Sequence, residues 1–198
     1  MKVICLTGGI ASGKSTASKF LEEKGAAIID ADKLGHRVYE TGTQGFLKVV
    51  EAFGDVIIGD DNHIDRKALG AKVFGDPDGL KKLTDIVWPE IRRLAEMEIE
   101  SLGILNPDGV VVLEAAVLFE AGWDDIGDEV WVAVVDQEIA ISRAMERDGL
   151  ERDAVEKRIQ AQLSNEERIS KADVVIENNG SLDDMLSALE SAYSLSVS

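Results

Sequence analysis

The chain has 198 residues, 45% hydrophobic and 30% charged, which is enough apolar mass for one packed core and too much for a disordered polymer. Lys and Arg number 21 against 38 Asp and Glu, a formal charge of −17, and both nucleic-acid and anionic-membrane binders need the basic face this balance argues against. One cysteine, Cys5, excludes an internal disulfide framework and a Cys-rich zinc site, and two histidines, His36 and His63, leave little for a histidine metal centre.

Lys2 to Leu6 is a short apolar run rich in β-branched residues and predicts a buried strand. Only Val3 to Leu6 are apolar before Thr7-Gly8-Gly9, so no signal peptide is expected, and a soluble, cytoplasmic protein follows. A helix is expected from near Gly13, with Ala17, Phe20 and Leu21 on one face and Gly25 as its stop. Ala26 to Ile29 reads as a second strand, ending at Asp30. Over seventy residues without a convincing sheet strand follow, from Asp32 to about Leu105. Helix starts are expected there at Asp65 and at Asp76-Pro77, with a break at Trp88-Pro89.

Asn106-Pro107-Asp108-Gly109 is a turn cluster returning the chain to the core. Val110 to Leu113, Val130 to Val135 and Val174 to Ile176 predict three more buried strands, and the longest of these runs is far short of the ~18 residues that span a bilayer. Helices are expected from Asp136 to Arg147 with a stop at Gly149, and from Leu150 through Val155 and Ile159 to Leu163. A last helix opens at Ser181-x-x-Asp184 and carries Leu182, Met185, Leu186, Leu189 and Tyr193 on one side, before a frayed Ser194 to Ser198. Strands alternating with helices predict an α/β fold with five parallel strands. One domain is expected, with its core at 1–31, 106–136 and 171–198, a helical substrate-binding insertion at 32–105 and a helical lid at 137–170.

Gly8-Gly9-Ile10-Ala11-Ser12-Gly13-Lys14-Ser15 fits G-x-x-x-x-G-K-[ST] after a strand and before a helix. The glycines let successive N–H groups face a phosphate chain, and the helix start adds its positive dipole end. Lys14 supplies charge for the β- and γ-phosphates, and the Ser15 hydroxyl is a hard oxygen ligand for Mg²⁺. The pattern predicts a nucleoside-triphosphate site. An N-K-x-D guanine signature is missing, and the third strand ends Leu113-Glu114-Ala115 rather than in the Asp of a motor ATPase. With the small size and the insertion, this favours a small-molecule kinase.

Asp30-Ala31-Asp32 ends the second strand on the carboxyl edge of the sheet, the edge that also carries the glycine loop. A carboxylate there can take a proton from an attacking hydroxyl, or serve as the N-cap of the helix containing Leu34 and Val38, with Asp30 the better cap or metal-shell residue. Arg143, Arg147, Arg152, Lys157 and Arg158 crowd into a short stretch, with Arg143 and Arg147 on one helical face. They can close over transferring phosphates, or form a solvated face paired with Glu146, Glu151 and Glu156. Cys5 and Trp123 and Trp131 read as packing residues, His36 and His63 as surface or cap residues, and Trp88 as packing or substrate-cleft lining.

Several of these blocks, in order, resemble the dephospho-coenzyme A kinase family over essentially the whole chain. Leu6 to Thr16 looks like its phosphate loop and Ile29-Asp30-Ala31-Asp32 like its acidic block, whose second aspartate is the family's proposed base. Arg143-Ala144-Met145-Glu146-Arg147-Asp148 is similar to its lid, Ala161-Gln162 to its Ala-Gln pair, and Ala172 to Gly180 to its late strand and Asn-Gly turn near the adenine. Trp88-Pro89 and Ala116-Val117-Leu118-Phe119-Glu120 depart from the free-standing bacterial pattern of His-Pro and Pro-Leu-Leu-Phe-Glu. Both departures, with Leu34-Gly35-His36-Arg37 and Glu120-Ala121-Gly122-Trp123, resemble the kinase domain of bifunctional coenzyme A synthases, although the early first strand leads us to expect no adenylyltransferase half.

The resemblance implies a P-loop NTPase fold of nucleotide-kinase type, in three layers. It implies ATP-dependent phosphorylation of the ribose 3′-hydroxyl of dephospho-coenzyme A, the last step of coenzyme A biosynthesis, with Mg²⁺ as the metal. Asp32, Lys14 and Arg143 would be catalytic, and Ser15 would hold the metal. Gly9, Ala11, Ser12, Gly13, Lys14, Ser15, Thr16, Arg147, Asn179 and Gly180 would hold the nucleotide. The partners expected are these two small molecules, without nucleic acid or membrane. Two other readings stand beside it: a P-loop kinase for a nucleoside or sugar acid, and a non-enzymatic ATP-binding module.

Overall fold

A computed structural model of the chain describes residues 1–197. Its secondary structure opens with β1 (Lys2–Gly8), α1 (Lys14–Glu23) and β2 (Ala27–Asp30). A helical stretch follows, with α2 (Ala31–Val38), α3 (Gln44–Phe53), α4 (Arg66–Val73) and α5 (Pro77–Leu105). The rest is β3 (Val110–Glu114), β4 (Glu129–Val134), α6 (Gln137–Asp148), α7 (Arg152–Gln160), α8 (Asn165–Ile169), β5 (Val174–Glu177) and α9 (Leu182–Ser196). The five strands form one sheet in the order β2-β3-β1-β4-β5. β1 lies in the middle, parallel to β3 with Ile4 opposite Val112 and parallel to β4 with Leu6 opposite Trp131, and β5 runs parallel to β4. The expected α/β class and five strands are what the chain forms.

Continuous apolar strands are buried on both faces because helices and connections cover both sides. On one face Ile4, Leu6, Val112, Trp131 and Ile176 pack with Ala17 and Leu21 of α1 and Met185 and Leu189 of α9. Alternation in β1 sends Cys5 to the other face, where its Sγ lies 3.8 Å from the Trp123 carbonyl and burial pushes the thiol pKa up to about 12. A thiol so placed stays protonated and inert at neutral pH, so Cys5 is a core residue, as are Trp123 and Trp131.

The chain divides into two compact units, one made of Met1–Ile29 with Ile99–Ser198 and the other of Asp30–Glu98. In the second unit Asp30 caps α2, its carboxylate accepting from the N–H groups of Asp32 and Lys33. Asp65 caps α4 in the same way. The break expected at Trp88-Pro89 does not occur: α5 is one helix of 29 residues with Pro89 inside it. Proline in a helix interior costs about 3 kcal/mol. Here Val87, Ile91 and Ala95, spaced four apart, are buried on both sides of it, and nearly buried Glu90 pairs with Lys48 at 2.7 Å and Arg93 at 3.1 Å. Packing of that stripe outweighs the lost backbone bond.

Three more corrections fall in the first unit. The helix expected to run from Leu150 to Leu163 spans only Arg152–Gln160, and a separate short helix, α8, follows it, opened by a capping box between Ser164 and Glu167. Of the stripe expected on α9, Met185 and Leu189 are buried and Leu186 and Tyr193 pack against them, but Leu182 is exposed. The frayed end expected from Ser194 is helical to Ser196, whose hydroxyl bonds Glu129 at 2.6 Å, while Ser198 lies outside the described residues. Among the described residues, no helix is long and apolar enough to cross a membrane.

Candidate phosphate-binding site

The loop between β1 and α1 is shaped by two glycines. Gly13 holds φ +96° at the N-cap of α1, and a Cβ there would lie 2.4 Å from Asn178 Nδ2. A Cβ on Gly8 would lie 2.4 Å from Ser12 Oγ and 2.6 Å from the Ala133 carbonyl oxygen. Both positions therefore admit only hydrogen, which lets the backbone turn tightly with its N–H groups in front of α1. Asn178, just past the end of β5, is buried and donates from Nδ2 to the Ser12 carbonyl at 2.9 Å, tying the loop to the far edge of the sheet. Gln162 accepts from the Ile10 N–H at 3.1 Å. Ala11 sits at φ +54°, the left-handed region that alanine rarely adopts. Ile10 and Ala11 are held there by packing against Ile141, Ala144 and Val155, the buried faces of α6 and α7.

A cavity of about 780 Å³ opens in front of this loop, within the size range of small-molecule sites. Its wall carries Gly9, Ala11, Ser12, Gly13, Lys14, Ser15 and Thr16, and also Arg143 and Arg147 from α6. Nine of the predicted residues thus converge, since Gly8 to Thr16 form one turn and the i, i+4 spacing puts both arginines on one face. Lys14 Nζ lies 2.8 Å from a carboxylate oxygen of Glu114 at the end of β3, both side chains being largely buried. Half-buried Arg143 donates to the Asn178 carbonyl at 3.0 Å, whereas exposed Arg147 forks onto Asp148 at 2.7 and 2.9 Å. Arg152 pairs with Glu138 and Glu156, so it belongs to the solvated face.

The other predicted residues lie elsewhere. Asn179 is tied to Asp136, accepting from its N–H at 2.7 Å and donating to its carboxylate at 3.1 Å, and neither Asn179 nor Gly180 lines the cavity. Their neighbours Asn178, Leu182 and Met185 do. Asp32 is exposed in the first turn of α2, within the second unit, and its carboxylate takes no part in the cap that its N–H helps to form. His36 is exposed on α2, and exposed His63 sits with Nδ1 3.2 Å from Thr41 Oγ1. Among the described residues, no group of three or more His, Cys, Asp or Glu could hold a metal ion.

Three residues the sequence did not single out build the site with them: Asn178, Glu114 and Arg168. Arg168 of α8 is 2% exposed, and its Nη1 lies 3.4 Å from where a Cβ on Gly9 would sit. Burial pulls its pKa below the ordinary arginine value, opposed by the charges of Glu120 and Glu167, and a guanidinium stays protonated there.

The model of the dephospho-CoA kinase family matches residues 2–184 of the chain. The chain is 45% identical over 193 residues to the dephospho-CoA kinase of Geobacter sulfurreducens, covering 98% of each protein. Its fold is similar to that of the solved dephospho-CoA kinase of Campylobacter jejuni, with a TM-score of 0.73, 28% identity, and coverage of 97% of this chain and 95% of that one. A shikimate kinase of Acinetobacter baumannii shares the fold at a TM-score of 0.54 and 15% identity, over 98% of this chain and 92% of that one.

Proposed function

The chain belongs to the dephospho-CoA kinase family, and from that premise we propose that it transfers the γ-phosphoryl group of ATP to the ribose 3′-hydroxyl of dephospho-coenzyme A, yielding coenzyme A and ADP. The observation that carries this reading is the single cavity wall on which the loop from Gly9 to Thr16 meets Arg143 and Arg147. The fold alone would serve a shikimate kinase as well, but the family model that spans residues 2–184 and the relative 45% identical over 98% of the chain are those of dephospho-CoA kinases. A binding module would bind ATP without acceptor-dependent turnover. ADP release measured with dephospho-coenzyme A, against a nucleoside and a sugar acid, separates the three: release with the first alone supports the reading, and release with either other acceptor alone overturns it.

In this reading the loop amides and Lys14 hold the β- and γ-phosphates, and Lys14 exchanges Glu114 for phosphate oxygens when ATP enters. The residues suit Mg²⁺, which binds through one or two protein oxygens plus phosphates and keeps its waters. Ser15 is exposed on the cavity wall beside Lys14, in the first turn of α1, and would supply the hydroxyl. Bound there, the metal would neutralise charge on the phosphate chain. Asp32 would orient the acceptor hydroxyl and take its proton, the helical stretch 32–105 would hold the acceptor, and α6 with α7 would act as the lid. A cytoplasmic location and small-molecule partners belong to the same reading, the acidic composition arguing against nucleic acid and anionic membrane as partners.

Arg143→Ala is expected to lower turnover by ~10² while weakening ATP binding much less, because a lid arginine acts on charge that develops during transfer. Steady-state rates alongside ATP titration check this. Equal losses of rate and affinity would make Arg143 a ground-state contact, and an unchanged rate would leave it only as the donor to Asn178.

A further inference from the structure

Behind the phosphate loop lies a second cavity of about 470 Å³, which shares Gly9, Ile10, Ser12 and Gln162 with the first and has Arg168 on its wall. A guanidinium has five N–H donors, and buried ones ordinarily all find acceptors. Arg168 donates from Nη1 to the Leu163 carbonyl, but its buried Nε and Nη2 bond nothing in the structure. The nearest carboxylate, on Glu120, is 3.9 Å from Nη2, close enough to pair charges and too far for a hydrogen bond. Gln162, in the connector that Arg168 braces through Leu163, packs beside it on Gly9 and accepts the Ile10 N–H.

Charge balance gives this arrangement its meaning. Lys14 is matched by Glu114 and Arg147 by Asp148, so two of the cations at the site arrive neutralised. Arg143 bonds a carbonyl, and Arg168 bonds a carbonyl and feels the carboxylates of Glu120 and Glu167 without a hydrogen bond to either. In a chain of net charge −17, a triphosphate needs a local excess of positive charge. A buried charge is screened less than an exposed one, so its field reaches through the loop to the phosphates.

We propose that Arg168 is the positioning residue of the phosphate loop: it braces the Gly9–Ile10 turn from behind and supplies a buried positive charge that the bound triphosphate completes. It acts through the loop amides and touches no substrate. The proposal rests on the reading of this loop as the ATP site.

The test titrates ATP and adenosine into the wild-type chain, Arg168→Met, Arg168→Lys and Lys14→Ala, at low and high salt, with melting temperatures recorded for each. Arg168→Met is expected to weaken ATP about tenfold, an effect that shrinks at high salt, and to leave adenosine unchanged. Arg168→Lys, which keeps the charge, is expected to recover most of that affinity. Equal ATP affinity in the Met and Lys variants overturns the charge role. So does a loss that falls alike on ATP and adenosine, which marks a general structural defect. Wild-type ATP affinity in Arg168→Met beside lost affinity in Lys14→Ala overturns the proposal and keeps the ATP site. If Lys14→Ala also binds ATP normally, the reading of the loop itself fails. Should Arg168→Met not fold, Arg168→Gln, which keeps a donor for the Leu163 carbonyl, takes its place in the same comparison.

Discussion

Lys14→Ala should lower turnover by ~10³ or more, the largest loss we expect from any single substitution, because it removes the mobile cation from a site whose catalysis is mostly charge stabilisation. The side chain lies outside the apolar core, so the fold should survive. The variant does leave Glu114 largely buried without its partner at 2.8 Å, which costs about 1–3 kcal/mol for an orphaned buried group. The melting temperature should therefore drop by a few degrees. Lys14→Ala combined with Glu114→Gln separates the two effects: the neutral amide relieves the orphaned charge, so stability should return while turnover does not. A Lys14→Ala protein with near-normal acceptor-dependent ADP release would remove the phosphate-loop assignment altogether.

The parts of this site that were legible in the sequence are those coded by neighbours along the chain. A β-branched run, two obligatory glycines and a lysine at a helix start sit within Lys2–Ser15, and each constrains the next. Arg143 and Arg147 were legible for the same reason, since a helix of known phase fixes which side chains share a face. Asp30 was readable as a cap because the cap bond spans two residues.

Pairings across long stretches of chain were not legible. Asn178 reaches the Ser12 carbonyl across 166 residues and Glu114 reaches Lys14 across 100, and no local pattern announces either. Each sits at or just past the carboxyl end of a strand, so strand order, once known, brings them to the loop. Asn179 entered only through the resemblance of the Asn178-Asn179-Gly180 stretch to the family's Asn-Gly turn, and one residue of register separates its bonds to Asp136 from those of Asn178 to the loop. Arg168 lies in a polar run, Ser164 to Lys171, that reads as solvated surface, and only tertiary packing buries it. Pro89 misled for the opposite reason: the local rule for proline is sound, and burial of Val87, Ile91 and Ala95 overrides it.

Asp32→Asn should lower turnover by ~10² or more, the usual contribution of a general base, with ATP affinity nearly unchanged. A ribose hydroxyl is a poor nucleophile until a carboxylate orients it and accepts its proton, and asparagine can orient but cannot accept. The substitution tests chemistry cleanly because Asp32 contributes only its backbone N–H to the cap of α2, at 2.9 Å from Asp30 Oδ1, and asparagine keeps that N–H. The loss of one negative charge in the first helical turn should cost only ~0.3–1 kcal/mol. Asp30→Ala gives the contrasting outcome: it deletes the cap itself and should cost about 1 kcal/mol of stability. Single-turnover rates per folded molecule, measured for Asp32→Asn and for Asp30→Asn, decide between the two carboxylates. A rate that holds in Asp32→Asn and collapses in Asp30→Asn would move the base to Asp30, where one carboxylate would have to cap α2 and take the proton as well.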